Sequence, residues 1–230
     1  MDLPWNDERS NKFITNVGLI TSDGPFGADV MACEWTHHIS YSPGLIAVCI
    51  GPEKTTHENI KQTKEFGVNL CSTDQSIMSS IAGGYTGSRY NKIDAFKELG
   101  FEFYEAKKIR AVMIKGAAVN FECTLSKEVQ LSDHTTFVGE VVEASSNADK
   151  APLAYHGGKY FILKTNVVKP SHEERERIKL LKNTKRGHLS IYSNREAAVP
   201  LPIIIHTRYQ IPRGLAKVYP TLAIYFTSSE

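Results

Sequence analysis

The chain has 230 residues, 41% hydrophobic and 23% charged, with 27 Lys+Arg against 25 Asp+Glu for a net charge of +2. That length holds one generous domain, or one plus an appendage, with enough apolar residues for a core that needs neither disulfides nor a structural metal. The balance argues against a dedicated nucleic-acid binder, which would carry a basic excess, and the composition is not that of a disordered, collagen-like or coiled-coil chain.

Residues Met1 to Lys12 are polar and acidic and offer no apolar leader, and no run approaches the roughly 20 apolar residues that span a bilayer. No membrane association is expected. Cys33, Cys49, Cys71 and Cys123 form no CxxC pair. They are read as buried, reduced thiols of a cytoplasmic protein.

In chain order, Phe13 to Ser22 reads as a strand turned by Asp23-Gly24-Pro25, and Ala28 to Ser40 as a second extended run pairing with it in a hairpin. Leu45 to Ile50 is short and almost wholly apolar, the pattern of a strand buried on both faces. Thr55 to Lys64 is expected to be a helix, with Thr55 and Glu58 at capping-box spacing. Phe66 to Cys71 follows as a strand, then a helix capped by Thr73 or Asp74 and running through Ala82. Gly83-Gly84 and Gly87 open a loop, and Asp94 to Leu99 forms a helical turn.

From Ala111 onward the signal is β. Val119 to Leu131 and Thr135 to Ala144 flank a tight turn at Ser132-Asp133-His134, and Tyr160 to Lys164 closes the series. About seven strands and two or three helices, without regular alternation, predict a mainly β, strand-rich barrel with helical insertions. His172 to Arg186 is a densely charged helix, acidic first and basic later, stopped by Gly187. Residues 188–230 are irregular, with four prolines.

Four constellations can carry chemistry. Lys54-Thr55-Thr56 at a helix start offers unpaired N–H groups, two hydroxyls and an ammonium to an anion such as a phosphate monoester. The plainer alternative is an ordinary capped helix with a solvated lysine. Thr86-Gly87-Ser88-Arg89-Tyr90-Asn91-Lys92 combines small residues with two cations, Arg89 supplying a bidentate fork; the alternative is a solvated loop. Met31-Ala32-Cys33-Glu34-Trp35-Thr36-His37-His38-Ile39-Ser40, an extended strand end with a Trp and several polar tips, can line a flat aromatic ligand, unless Trp35 is core and His37-His38 are merely exposed. Asp133-His134 pairs a carboxylate with an imidazole it could orient, or is a turn with a bystander histidine. His37 and His38 are adjacent in a strand and point to opposite faces, so no metal site is expected there. No GxSxG, HExxH, GxxxxGK[ST] or GxGxxG motif is present.

Taken together these segments resemble one family. Asn16 to Ser22, Met31 to Thr36, Ser40-Tyr41-Ser42-Pro43, Lys54 to Ile60, Glu65 to Leu70, Thr86 to Lys92 and Ser132-Asp133-His134 before Val138-Gly139-Glu140-Val141 follow the order and spacing of the flavin reductase-like proteins, most closely their flavoredoxin branch. The resemblance covers roughly residues 10–168.

It implies a homodimer of Greek-key split barrels binding FMN non-covalently at the dimer interface. Ala32, Cys33, Glu34, Trp35 and Thr36 would line the isoalloxazine and ribityl chain. Lys54, Thr55 and Thr56, with Thr86, Gly87, Ser88, Arg89 and Lys92, would hold the phosphate. His134 would stand near flavin and nicotinamide as the first catalytic candidate. Ser132 replaces the usual glycine of that turn, and Glu34 brings a charge toward the ring.

The implied activity is electron transfer from NAD(P)H through FMN to a small-molecule or redox-protein acceptor. The alternative is a non-catalytic FMN- or small-ligand-binding protein of the same fold. The chain thus divides into a flavin-binding domain over 1–170, with 17 Lys+Arg and 20 Asp+Glu, and a basic extension over 171–230, with 10 and 5. Attraction between the two is the simplest use of those charges.

Overall fold

The computed structural model describes residues 1–4 and 7–189, and of residues 181–189 the backbone alone. Met1–Asn166 forms one compact unit and the chain from Val167 another. The first unit contains β1 (Thr15–Asn16), β2 (Gly18–Gly24), β3 (Gly27–Cys33), β4 (Thr36–Tyr41), β5 (Gly44–Ile50), α1 (Thr55–Thr63), β6 (Glu65–Leu70), α2 (Ser76–Gly84), α3 (Lys92–Glu98), β7 (Phe103–Glu105), β8 (Val112–Ile114), β9 (Val119–Leu131), β10 (His134–Ser146), β11 (Leu153–His156) and β12 (Lys159–Ile162).

Seven strands make one antiparallel sheet in the order β3-β2-β6-β9-β10-β5-β4. Its two edge strands, β3 and β4, are consecutive in the chain and joined by Glu34–Trp35 alone. A flat seven-stranded sheet would hold its edges about 29 Å apart, at ~4.8 Å per strand. Two linking residues reach only about 11 Å, so the sheet must curl until its edges meet. The architecture is therefore the expected mainly β barrel with helical insertions. The single extended run expected over Ala28–Ser40 is corrected: it breaks at Glu34–Trp35, and that break is the seam.

The sheet is packed on both faces. Ile20, Ile46, Val48, Ile50, Phe66, Val68, Cys123 and Phe137 fill the inside, with Ile60 of α1 added to them. Leu19 and Val30 pack outward against Met78 and Ala82 of α2 and Ile93 and Phe96 of α3. This is why β2 is buried continuously from Gly18 to Ser22. β5, expected to be buried on both faces, alternates instead: Ile46, Val48 and Ile50 are buried, while Leu45, Ala47 and Cys49 are half-buried.

Other boundaries also move. α2 starts at Ser76 after Gln75 and runs through Gly83 and Gly84, so the glycine pair ends the helix and does not open a loop. The short strands β1, β7, β8 and β11 carry too few residues to show a period in sequence. The turn at Ser132-Asp133 joins β9 to β10 as expected, with Ser132 in the left-handed region at φ 39°.

In the second unit, α4 (His172–Leu189) passes through Gly187, the expected stop. It opens on a capping box: Ser171 Oγ accepts from the Glu174 N–H at 3.2 Å, and Glu174 Oε2 accepts from the Ser171 N–H at 2.8 Å. The irregular stretch expected beyond α4 lies outside the described residues. No helix among the described residues is long and apolar enough to cross a membrane.

Candidate functional site

At the seam, the chain leaves β3 and enters β4 with its polar groups engaged. Thr36 Oγ1 donates to Cys33 O at 3.0 Å, the Thr36 N–H to Glu34 O at 3.0 Å, and Asn16 Nδ2 to Thr36 O at 2.8 Å. Gly18 is required beneath it, since a Cβ there would lie 2.8 Å from Thr36 Cβ. On the β4 side the Cys49 N–H donates to Trp35 O at 3.0 Å, extending the β4–β5 ladder by one position.

These contacts sort the predicted ring-lining residues. Cys33 faces the core, its Sγ donating to Cys49 O at 3.4 Å, and burial pushes its thiol up to about 11. The side chain expected to line a ligand is therefore corrected to a core residue, as is that of buried Thr36. Ala32 is half-buried and packs on the outer cluster that holds α2. Glu34 is half-buried, and burial raises its carboxyl above the usual range. Its charge and burial both raise the Tyr155 phenol, burial more.

Trp35 alone stands outward, 48% exposed. Its ring meets the His134 imidazole at 4.7 Å between centroids, tilted 53°. Two candidates 99 positions apart in sequence are thus one aromatic surface. His134 Nδ1 lies 3.1 Å from Asp133 Oδ1, and that contact holds the Asp133 carboxyl below its usual range.

β5 leads from the seam to the second half of the site. Ile50 pairs with Thr135, directly after His134, and the chain then turns into α1. α1 is tied to β10 by His57, whose Nε2 meets Thr135 Oγ1 at 2.9 Å. That hydroxyl donates to Gln130 Oε1, so Nε2 carries the hydrogen.

The expected capping box at α1 is absent. Lys54 is the extended N-cap residue, and Thr55 is the first helical residue. The Thr55 hydroxyl accepts the Ser88 N–H at 2.9 Å, from the second predicted segment, while Glu58 accepts from Gln62. Thr56 Oγ1 donates to Asp29 Oδ2 at 3.0 Å.

Lys92 Nζ lies 3.0 Å from Asp29 Oδ1 and donates to Tyr85 O at 3.1 Å. Both charged side chains are buried, at 3% and 4% exposure. Lys92 is the first residue of α3 and not part of a loop. Burial lowers its ammonium and Asp29 opposes that shift. Expected to face a phosphate, its ammonium is instead paired with Asp29 and buried in this structure. Gly87 backs onto the same carboxylate, where a Cβ would lie 2.5 Å from Asp29 Cγ.

The two segments expected to bind an anion do come together, but around Asp29, which the sequence reading passed over. A lone acid inside the β-like stretch Ala28–Cys33 was the available signal. What faces outward is Lys54, beside Glu53 at 3.0 Å, with Ser88 and Arg89, all exposed, and half-buried Thr86. Seam and cradle share one side of the barrel: Ile50, four residues before Lys54, pairs with Thr135, next to His134. They also share β3, on which Asp29 and Cys33 are about 13 Å apart at ~3.3 Å per residue. Two cavities lie elsewhere, one lined by Asp74, Phe101 and Lys115, the other by Pro25, Gln62 and Arg110.

The profile of the flavin reductase like domain matches residues 10–164. An uncharacterized protein of Archaeoglobus fulgidus is 35% identical over 117 residues, 51% of this chain and 64% of that protein, so the chain spans just under two thirds of its length. The NADH-dependent FAD reductase of Streptomyces globisporus is 26% identical over 148 residues, 64% of this chain and 79% of the other. Among solved structures, flavoredoxin of Methanosarcina acetivorans superposes with a TM-score of 0.65 at 19% identity, covering 77% of this chain and 98% of that one, a likeness of fold.

Proposed function

The chain belongs to the flavin reductase like domain family, and on that premise we propose that it is a cytoplasmic oxidoreductase that holds FMN and passes electrons from NAD(P)H to a small-molecule or redox-protein acceptor. The observation that carries this reading is the pairing of an exposed aromatic surface, Trp35 on His134, with an anion cradle on the same side of the barrel. Their spacing along β3 suits a flat ring joined to a phosphate by a five-carbon chain. The residues fit the group: the first N–H groups of α1, with Lys54, Ser88 and Arg89, would hold the phosphate, and Trp35 would lie against the ring.

When bound, the flavin would supply acceptance of a hydride from the nicotinamide and its later release as electrons. The protein's own part is positional. Asp133, with Oδ1 3.1 Å from His134 Nδ1, sets where the imidazole stands against Trp35. Glu34 at the seam supplies a carboxyl that burial biases toward its neutral form. Because Trp35 stands half exposed on an open surface, a second copy of the chain is the proposed cover, in a homodimer. The proposed flavin domain is residues 1–170, with 171–230 an extension.

The test is anaerobic addition of NADH or NADPH to protein loaded with FMN, followed in the visible spectrum. Bleaching is expected. A yellow protein that neither donor bleaches supports a non-catalytic flavin binder, and a protein that takes up no flavin overturns both readings.

A further inference from the structure

We propose that Asp29 is a positioning residue for the phosphate end of this site: it never touches the ligand, but locks the start of α1 and the 86–92 segment into one cradle. The proposal rests on the flavin-binding reading above and deepens it.

Asp29 is 3% exposed on an edge strand of the barrel. Removing a carboxylate and an ammonium from water costs several kcal/mol per ion, and a buried ion pair is at best a modest source of stability compared with apolar residues of the same volume. What such a pair provides is geometry. Here it fixes four segments at one point. Oδ2 accepts from Thr56 at the start of α1, and Oδ1 pairs with Lys92 at the start of α3. Lys92 also takes the carbonyl of Tyr85 at the end of α2, and Gly87 closes over the carboxylate from above. A fifth contact, the Ser88 N–H to Thr55 Oγ1, holds only while the loop is drawn onto α1.

The charges have a consequence of their own. With Lys92 neutralised by Asp29, an incoming phosphate meets Lys54 and Arg89, and their separation is set by the Asp29 contacts. Two roles for Lys92 then predict opposite results when Asp29 loses its charge. If Lys92 were the phosphate's cation, freeing it would tighten FMN. If Asp29 positions the cradle, freeing Lys92 lets the loop drift and FMN weakens.

The test uses the full chain and compares Asp29→Asn with wild type by flavin fluorescence titration, with FMN and riboflavin as probes. The substitution keeps the shape and the acceptor for Thr56. We expect FMN affinity to fall about tenfold, the scale of one charge-assisted contact, and riboflavin affinity to fall less than about threefold. A purely structural role would lower both ligands alike, and that outcome overturns the proposal, as does an FMN affinity that is unchanged or raised.

If Asp29→Asn does not yield folded protein, Gly87→Ala decides. It crowds the same carboxylate without altering charge, and the same selective loss of FMN is expected. Wild-type protein that binds FMN no better than riboflavin overturns the proposal while leaving the flavin reading intact. Wild-type protein that binds neither overturns both.

Discussion

Trp35 and Asp29 lie on one stretch of chain, yet one is half exposed and the other is sealed in. At the seam, hydrogen bonds from Thr36 Oγ1, Asn16 Nδ2 and the backbone, with the close fit of Gly18 under Thr36, hold the chain, and the aromatic side chain is left free for contact. At the cradle, Thr56 and Lys92, expected to grip a ligand, instead hold Asp29, Thr55 accepts the Ser88 N–H, and the exposed cations are Lys54 and Arg89. At the seam the exposed ring of Trp35 can be altered with little effect on the frame. At the cradle the frame is made of the side chains.

The largest effect expected from this contrast is on stability. Asp29→Ala leaves the Lys92 ammonium buried without its partner and should lower the unfolding free energy by about 3–5 kcal/mol. Trp35→Ala removes a ring that is already half in water and should change it by less than ~1.5 kcal/mol. Urea denaturation of both variants measures the difference, and equal losses would break the comparison.

A second effect separates the free cations from the locked one. Arg89→Ala should weaken FMN by roughly tenfold and riboflavin little, because an exposed guanidinium serves the phosphate alone. Trp35→Ala should weaken both flavins together. Isothermal titration with the two ligands reads the pattern, and loss of both on removing Arg89 would place it outside the cradle.

The third concerns the turn that carries His134. Ser132 has φ 39°, a region that disfavours side chains by about 1–2 kcal/mol. Ser132→Gly should therefore raise stability by roughly 0.5–1 kcal/mol after glycine's entropy is subtracted. A thermal melt that shows no rise would mean that the seam side carries more side-chain dependence than the comparison allows.

The smallest effect is a pH slope. The Glu34 carboxyl is raised above its ordinary value of 4.5, chiefly by burial. The unfolded chain therefore releases its proton first, and stability falls as pH rises from that ordinary value through the folded one. Glu34→Gln should flatten that fall, measured by urea melts between about pH 4 and pH 7, where carboxylates titrate. An unchanged slope would show that the carboxyl is solvated in the folded protein.

The fold was legible wherever a segment's own period determined its burial. β6, β9 and β10 were recognisable because alternating or continuous apolar residues must face a core. The turn at Ser132-Asp133 was visible from its residue types. Trp35, His134 and the two segments proposed to bind an anion could be named singly, as chemistry without geometry.

What could not be read rests on partners far away in sequence. The break at Glu34–Trp35 lies among strand-forming residues and depends on Gly18 and on the Trp35 carbonyl reaching Cys49. Thr55 and Glu58 have capping-box spacing, but the Thr55 hydroxyl goes to Ser88, while Ser171 and Glu174 form the box that was not singled out. Lys92 looked like a loop cation because nothing near it in sequence carries the charge that buries it.

The amino-acid sequence by itself determined which segments extend, which coil and which residues have the chemistry to meet a ring and an anion, since propensity and periodicity are local. Only the tertiary structure decided which of those side chains remain free to do so. A charge or hydroxyl is available to a ligand only when the fold supplies no nearer partner, and Asp29, 63 positions before Lys92, supplies one.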